Sequence, residues 1–174
     1  LDYYAKRKDY DIIKIMSETK APVDNAILDM KKYDLTVNGV AGVLLSDSQK
    51  VAIYPYNRQL TIRQNRKISF DGVVEAGLFT VFGHKFSFDY DTFNLRLKNI
   101  DSIKISVETG KKDNLGNDIT EDVNNVIQLG TAELYIDNPN NKSGLKSLKQ
   151  YPIINATTYS YIFYDKIPGL ENVY

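Results

Sequence analysis

Cysteine and tryptophan are absent from this 174-residue chain, and histidine occurs once. Without cysteine there is no disulfide, no thiolate metal centre and no thiol nucleophile. A single histidine leaves one candidate general base of that type. An excess of charge of either sign is also missing: 22 Lys and Arg balance 22 Asp and Glu. The pI of 6.8 therefore gives no long-range field to draw nucleic acid or an anionic membrane. Nucleic acid is not expected as a partner. The longest uninterrupted apolar run, residues 39–45, falls far short of the roughly 20 residues a membrane helix needs. No transmembrane helix is expected. Residues 1–10 are polar and charged and lack the pattern of a secretory signal. The expectation is a segment of a longer chain.

What is present suffices for one domain with a core, since 43% of residues are hydrophobic and 25% charged. The dominant signal is a period of two. Tyr33, Leu35 and Val37 alternate with polar residues, as do Leu60 and Ile62, then Phe86, Phe88 and Tyr90. Phe93, Leu95 and Leu97 follow, then Ile103, Ile105 and Val107, then Ala132, Leu134 and Ile136. Such repetition demands half-buried strands. Residues 73–82 are apolar at nearly every position and read as a strand covered on both faces. Asn38-Gly39 and Asp71-Gly72 read as turns, and Gly83-His84 as a break. Residues 6–19 fit a strand better than a short amphipathic helix. Residues 108–122 read as a polar loop, and residues 137–144 as an irregular turn. The fold expected is all-β: an antiparallel sandwich-like domain of about ten short strands, with an elongated β-groove or β-solenoid as the alternative. Residues 26–164 make the domain, 1–25 continue from a preceding unit, and 165–174 link to a following one.

Catalytic signatures are scarce. His84 lies between two strands with no nucleophile context around it and reads as a plain turn residue. Asp89 and Asp91, about 7 Å apart on one strand face, have the spacing of a glycosidase pair, but the simpler reading is solvated carboxylates. Asp113, Asn114, Asn117, Asp118, Glu121 and Asp122 offer oxygen ligands without the ordered spacing of a calcium loop. No catalytic residue, metal or cofactor is expected. Arg58, Arg63, Arg66 and Lys67 read as a charged strand edge. Of 13 tyrosines, Tyr54, Tyr56, Tyr159 and Tyr161 are the candidates for a ligand-facing platform.

Residues 44–55 (LLSDSQKVAIYP), 66–103 (RKISFDGVVEAGLFTVFGHKFSFDYDTFNLRLKNIDSI) and 134–146 (LYIDNPNNKSGLK) resemble internal segments of very long, functionally unassigned cell-envelope proteins of Gram-negative bacteria. These are strand-and-turn motifs that cover most of the chain. The resemblance implies a strand-rich segment in the periplasm or at the outer surface, and carries over no functional residue. Three functions follow as expectations. The first is a non-catalytic structural or interaction module that meets neighbouring domains of the same chain. The second is a lipid-conducting β-groove lined by Phe79, Val81, Phe86, Phe88, Phe93 and Leu95. The third is a glycan-binding sandwich that uses exposed tyrosine.

Overall fold

A computed structural model describes residues 13–116, 118–142, 144–158 and 160–163. These form twelve strands: β1 (Ala26–Asp29), β2 (Asp34–Asn38), β3 (Val43–Ser46), β4 (Val51–Pro55), β5 (Gln59–Ile62), β6 (Ile68–Ala76), β7 (Phe79–Asp89), β8 (Asn94–Lys112), β9 (Asp118–Leu129), β10 (Ala132–Tyr135), β11 (Ile153–Ala156) and β12 (Ser160–Phe163). All pair antiparallel in one connected sheet that is not closed into a barrel. The protein is all-β, as the alternation predicts.

Three long strands organise the sheet. In one arm β1, β2 and β5 join the first part of β6, followed by the end of β7, the start of β8, β10 and β11. In the other, β3 and β4 join the second part of β6, followed by the start of β7, the second part of β8, β9 and β12. Where the arms meet, the ladder is irregular on every strand. A turn at residues 56–58 separates β4 from β5, with Asn57 and Arg58 in left-handed backbone. The register shifts between Phe70 and Gly72, and again between Phe82 and Gly83. Gly130 and Thr131 separate β9 from β10. Bulges bend and twist the strands that carry them, so their alignment makes a crease across the sheet.

Two glycines mark the crease because nothing larger fits. Gly72 and Gly83 are cross-strand partners. A Cβ on Gly72 would overlap the Tyr54 carbonyl oxygen, and one on Gly83 the Asn99 carbonyl oxygen. Asp71-Gly72 therefore lies within β6, opposite a bulge in β7, rather than forming the turn expected, and Gly83-His84 lies inside β7 rather than ending it. The extra residue in β7 sits at His84-Lys85, with Lys85 at φ 56°. Asp71 caps it by accepting the Lys85 backbone N–H at 2.7 Å.

Both arms feed one core. Val43, Val51, Ile53, Val74, Val81 and Ile103 come from one arm; Leu60, Ile68, Phe70, Phe86, Phe88, Leu95, Leu97 and Leu134 come from the other. Edge-on ring contacts join Phe70 to Phe86 at 5.8 Å and Phe88 to Phe93 at 5.9 Å, a favourable aromatic geometry. Ile13 and Ile15 are buried in the same cluster. Residues 13–19 are not a strand, however. They run without regular structure past Gly39, whose carbonyl accepts the Glu18 N–H at 3.0 Å.

Three further expectations need correction. The apolar run 73–82 is no single strand but a hairpin, turning at Gly77 (φ 58°) between β6 and β7. Val74, Ala76 and Val81 point inward, while Val73 and Phe82, partners across the ladder, lie half-buried on the other face. Residues 108–122 are not a loop. Ser106 pairs with Asp122, Val107 with Glu121 and Glu108 with Thr120, and only residues 113–117 lie between the strands. Both faces of this hairpin meet water, so its polarity says nothing against pairing. β11 carried too little alternation to be expected at all. The irregular turn at 137–144 agrees with expectation among its described residues and is pinned by the buried Asp137. That carboxylate accepts from Gln49 Nε2 at 3.0 Å, Asn141 Nδ2 at 3.0 Å and the Asn138 N–H at 2.6 Å.

Candidate functional site

The crease gathers the one histidine with three polar neighbours. Nδ1 of His84 lies 3.4 Å from Asp71 Oδ2 on β6, and Nε2 lies 3.4 Å from Asp101 Oδ2 on β8. Its ring tilts against Tyr56 at 5.5 Å. Burial raises the Tyr56 phenol above its ordinary value, and the Asp101 and Asp71 charges add to this. Sequence spacing could not show this grouping, since residues 56, 71, 84 and 101 come together only through the ladder. Both imidazole nitrogens face carboxylates at ion-pair distance, and the ring is about half exposed. The aspartates approach opposite nitrogens and do not converge on one point. Among the described residues no group of three or more His, Asp or Glu is arranged to hold a metal ion.

Beside the crease lies an open trough on the solvent face of β5, β6 and β7. Cross-strand register sets Thr61 beside Ser69, Ser69 beside Ser87, Ser87 beside Arg96, and Arg96 beside Glu133 on β10. Three short hydroxyl side chains in a row leave a depression. Longer cations stand along it: Arg63 and Lys67 on one side, Lys85 and Lys98 on the other. Its volume is about 600 Å³. A second depression of about 520 Å³ begins on the far side of Lys98, with Arg96, Glu133, Thr131 and Thr157 in its wall. Compared with protein-family models, curated proteins and solved structures, the chain matches none. The site is therefore read from its own geometry.

The cations along the trough are not equivalent. Arg63 Nε donates to Ser69 Oγ at 3.2 Å and its Nη1 lies 3.9 Å from Asp34. Lys67 pairs with Asp89 at 3.2 Å, and Arg96 with Glu133 at 3.6 Å. Among the described residues, no carboxylate pairs with Lys85 or Lys98. The Asp71 carboxylate also lines the trough, so the face mixes both signs, with Lys85 and Lys98 as the cations outside its ion pairs.

The other residues singled out by sequence fall elsewhere. Asp89 is a turn cap, accepting the Asp91 and Thr92 N–H groups at 3.0 and 3.3 Å. Burial pushes its carboxyl up, but the Thr92 N–H, Lys67 and the Asp91 N–H outweigh this and hold it below its ordinary value. Asp91 takes Arg66 at 2.7 Å, and Arg58 donates to the Gly39 carbonyl at 3.2 Å. Asp113 caps the β8–β9 turn through the Leu115 N–H at 2.8 Å. The tyrosines do not form one platform. Tyr54 on β4 is 40% exposed, Tyr56 sits in the crease, and Tyr161 on β12 is 59% exposed. β4 and β12 are separated by β6, β7, β8 and β9. Tyr159 lies outside the described residues. Val81, Phe86, Phe88, Phe93 and Leu95 are buried, and Phe79 is half-buried against them. No helix among the described residues is long and apolar enough to cross a membrane.

Proposed function

We propose that this chain is a non-catalytic interaction module of a large bacterial cell-envelope protein, facing the periplasm or the outer surface. One observation carries the reading: the inward side chains of β5 to β8 pack in one core, while their solvent face carries an open trough of hydroxyls and charges, with no nucleophile–base hydrogen bond beside it among the described residues. The envelope setting rests on the likeness of residues 44–55, 66–103 and 134–146 to such proteins. Neighbouring domains of the same long chain are the nearest partners. The lipid-conduit reading would need Phe86, Phe88, Phe93 and Leu95 on an accessible wall, and their burial speaks against it. A glycan-binding role is the second reading, favoured by the Thr61–Ser69–Ser87 floor. The test is to immobilise the purified chain and apply envelope polysaccharides, lipid vesicles and neighbouring segments of the parent protein. Saturable capture of a polysaccharide or segment without turnover is the expected result. Turnover of any applied substrate that is lost in His84→Ala would contradict it.

A further inference from the structure

We infer that the trough is a binding site for a linear acidic polysaccharide, a uronic-acid chain or one of similar anionic chemistry. The inference rests on the interaction-module reading and names the ligand class of that surface. Four features point the same way. The floor is a row of hydroxyls on adjacent strands, Thr61, Ser69 and Ser87, able both to donate to and accept from sugar hydroxyls. The depressions together run from β5 across β6, β7 and β8 to β10. Four strand spacings make about 19 Å, longer than one small anion needs. Lys85 and Lys98 stand together mid-trough, where register sets their strands side by side. Neither forms an ion pair among the described residues, although Asp71 lines the same trough, and a carboxylate on a ligand would form charge-assisted hydrogen bonds with them. Tyr56 at the trough's end offers a ring edge or face against a sugar.

Other ligand classes fit less well. A peptide added as a strand needs a free sheet edge, but β6 and β7 are paired on both sides. Single-stranded nucleic acid needs a succession of stacking rings, and of the aromatic residues lining the trough Phe70 and Phe86 are buried, which leaves Tyr56. A lipid tail fits less well because Leu60, Phe70 and Phe86, which line the trough, are themselves buried, and the other residues around them are largely polar or charged.

The experiment is calorimetric titration of the intact chain with oligogalacturonate, beside an uncharged galactan oligomer of similar length and a thymidine oligonucleotide. The expected result is saturable, salt-sensitive binding of oligogalacturonate. Binding should weaken by about ten-fold or more in the double variant Lys85→Gln/Lys98→Gln, and stay unchanged in Lys111→Gln on the distant β8–β9 hairpin. Ser87→Tyr, which fills the floor, should abolish it while leaving the melting temperature intact. Equal binding of the neutral oligomer, retained in the double variant, would overturn the acidic-ligand inference and leave the module reading standing. Tighter binding of the oligonucleotide through the same lysines would also overturn it, and so would no binding of any oligomer. Cleavage of the oligogalacturonate would overturn both readings.

Discussion

The two faces of β5, β6, β7 and β8 are made by the same residues counted by twos, yet they differ in almost every physical respect. Inward, Leu60, Phe70, Phe86, Phe88, Leu95 and Leu97 are buried and interlock. Outward, Thr61, Ser69 and Ser87 are short and polar, and the cations beside them reach into water. The inner face is governed by transfer of apolar area and close packing. The outer face is governed by side-chain length and charge. One alternation therefore sets stability on one side and the proposed binding surface on the other, and a one-residue slip would exchange them. The crease matters because it adds residues to β7 and β8 without losing that phase relation. Phe86 and Phe88 remain inward after the bulge at His84-Lys85, just as Val81 does before it.

The most disruptive way to break this division is at the crease itself. Gly83→Val forces a side chain into the Asn99 carbonyl and should cost more than about 3 kcal/mol, in the range of severe core lesions. Loss of the cooperative unfolding transition in urea is the expected readout. Asp137→Ala tests whether the far end of the inner face depends on its polar clasp. It removes the carboxylate acceptor of the buried Gln49 amide and one of the two acceptors of Asn141 Nδ2 and should cost about 1–3 kcal/mol, read as a lower urea midpoint at unchanged slope.

Smaller effects sharpen the contrast between the core-backed ladder and the β8–β9 hairpin, which projects into water. Replacing residues 111–118 by Asn-Gly should change stability by less than about 1 kcal/mol, because loop closure depends weakly on length and no core residue is removed. A fall in melting temperature matching that of a core variant would show that the hairpin packs on something. The smallest effect is at Asp89. Its carboxyl titrates lower in the folded protein than in the unfolded chain. The stability it adds is therefore present above the unfolded value and is lost as pH falls through the folded one. Asp89→Asn should lower the melting temperature slightly near neutrality and flatten its decline below about pH 4, so that variant and parent converge in acid.

Much of the inner face was legible in the sequence, because alternation over Phe86–Tyr90, Phe93–Leu97 and Ile103–Val107 reports burial directly. The outer face was not. Thr61, Ser69, Ser87 and Lys98 are far apart in sequence and unremarkable alone, and only pairing register sets them side by side. Local turn signals misled for a definite reason. Asp71-Gly72 is a common turn pair, yet here glycine answers to a carbonyl across the ladder, a tertiary constraint invisible within a few residues. The local context of His84 points only to a turn residue. Its aspartate neighbours, 13 residues before it and 17 after, are brought in by the same ladder. The hairpin beyond Ser106 was missed because a strand with water on both sides has no hydrophobic alternation to read.

The division between the faces is tested most directly at one pair of consecutive residues. Phe88 and Ser87 are adjacent in β7 and point to opposite sides, Phe88 fully buried and Ser87 on the trough floor. The measurement is the melting temperature of Phe88→Ala beside Ser87→Tyr. Removing the ring should cost about 3–5 kcal/mol and lower the melting temperature by on the order of 10 °C. Adding a ring one residue away should leave it within about 2 °C of the parent. Near-parental melting of Phe88→Ala, joined by saturable binding of a fatty-acyl probe to the parent chain, would contradict the closed inner face and turn the protein's function towards lipid.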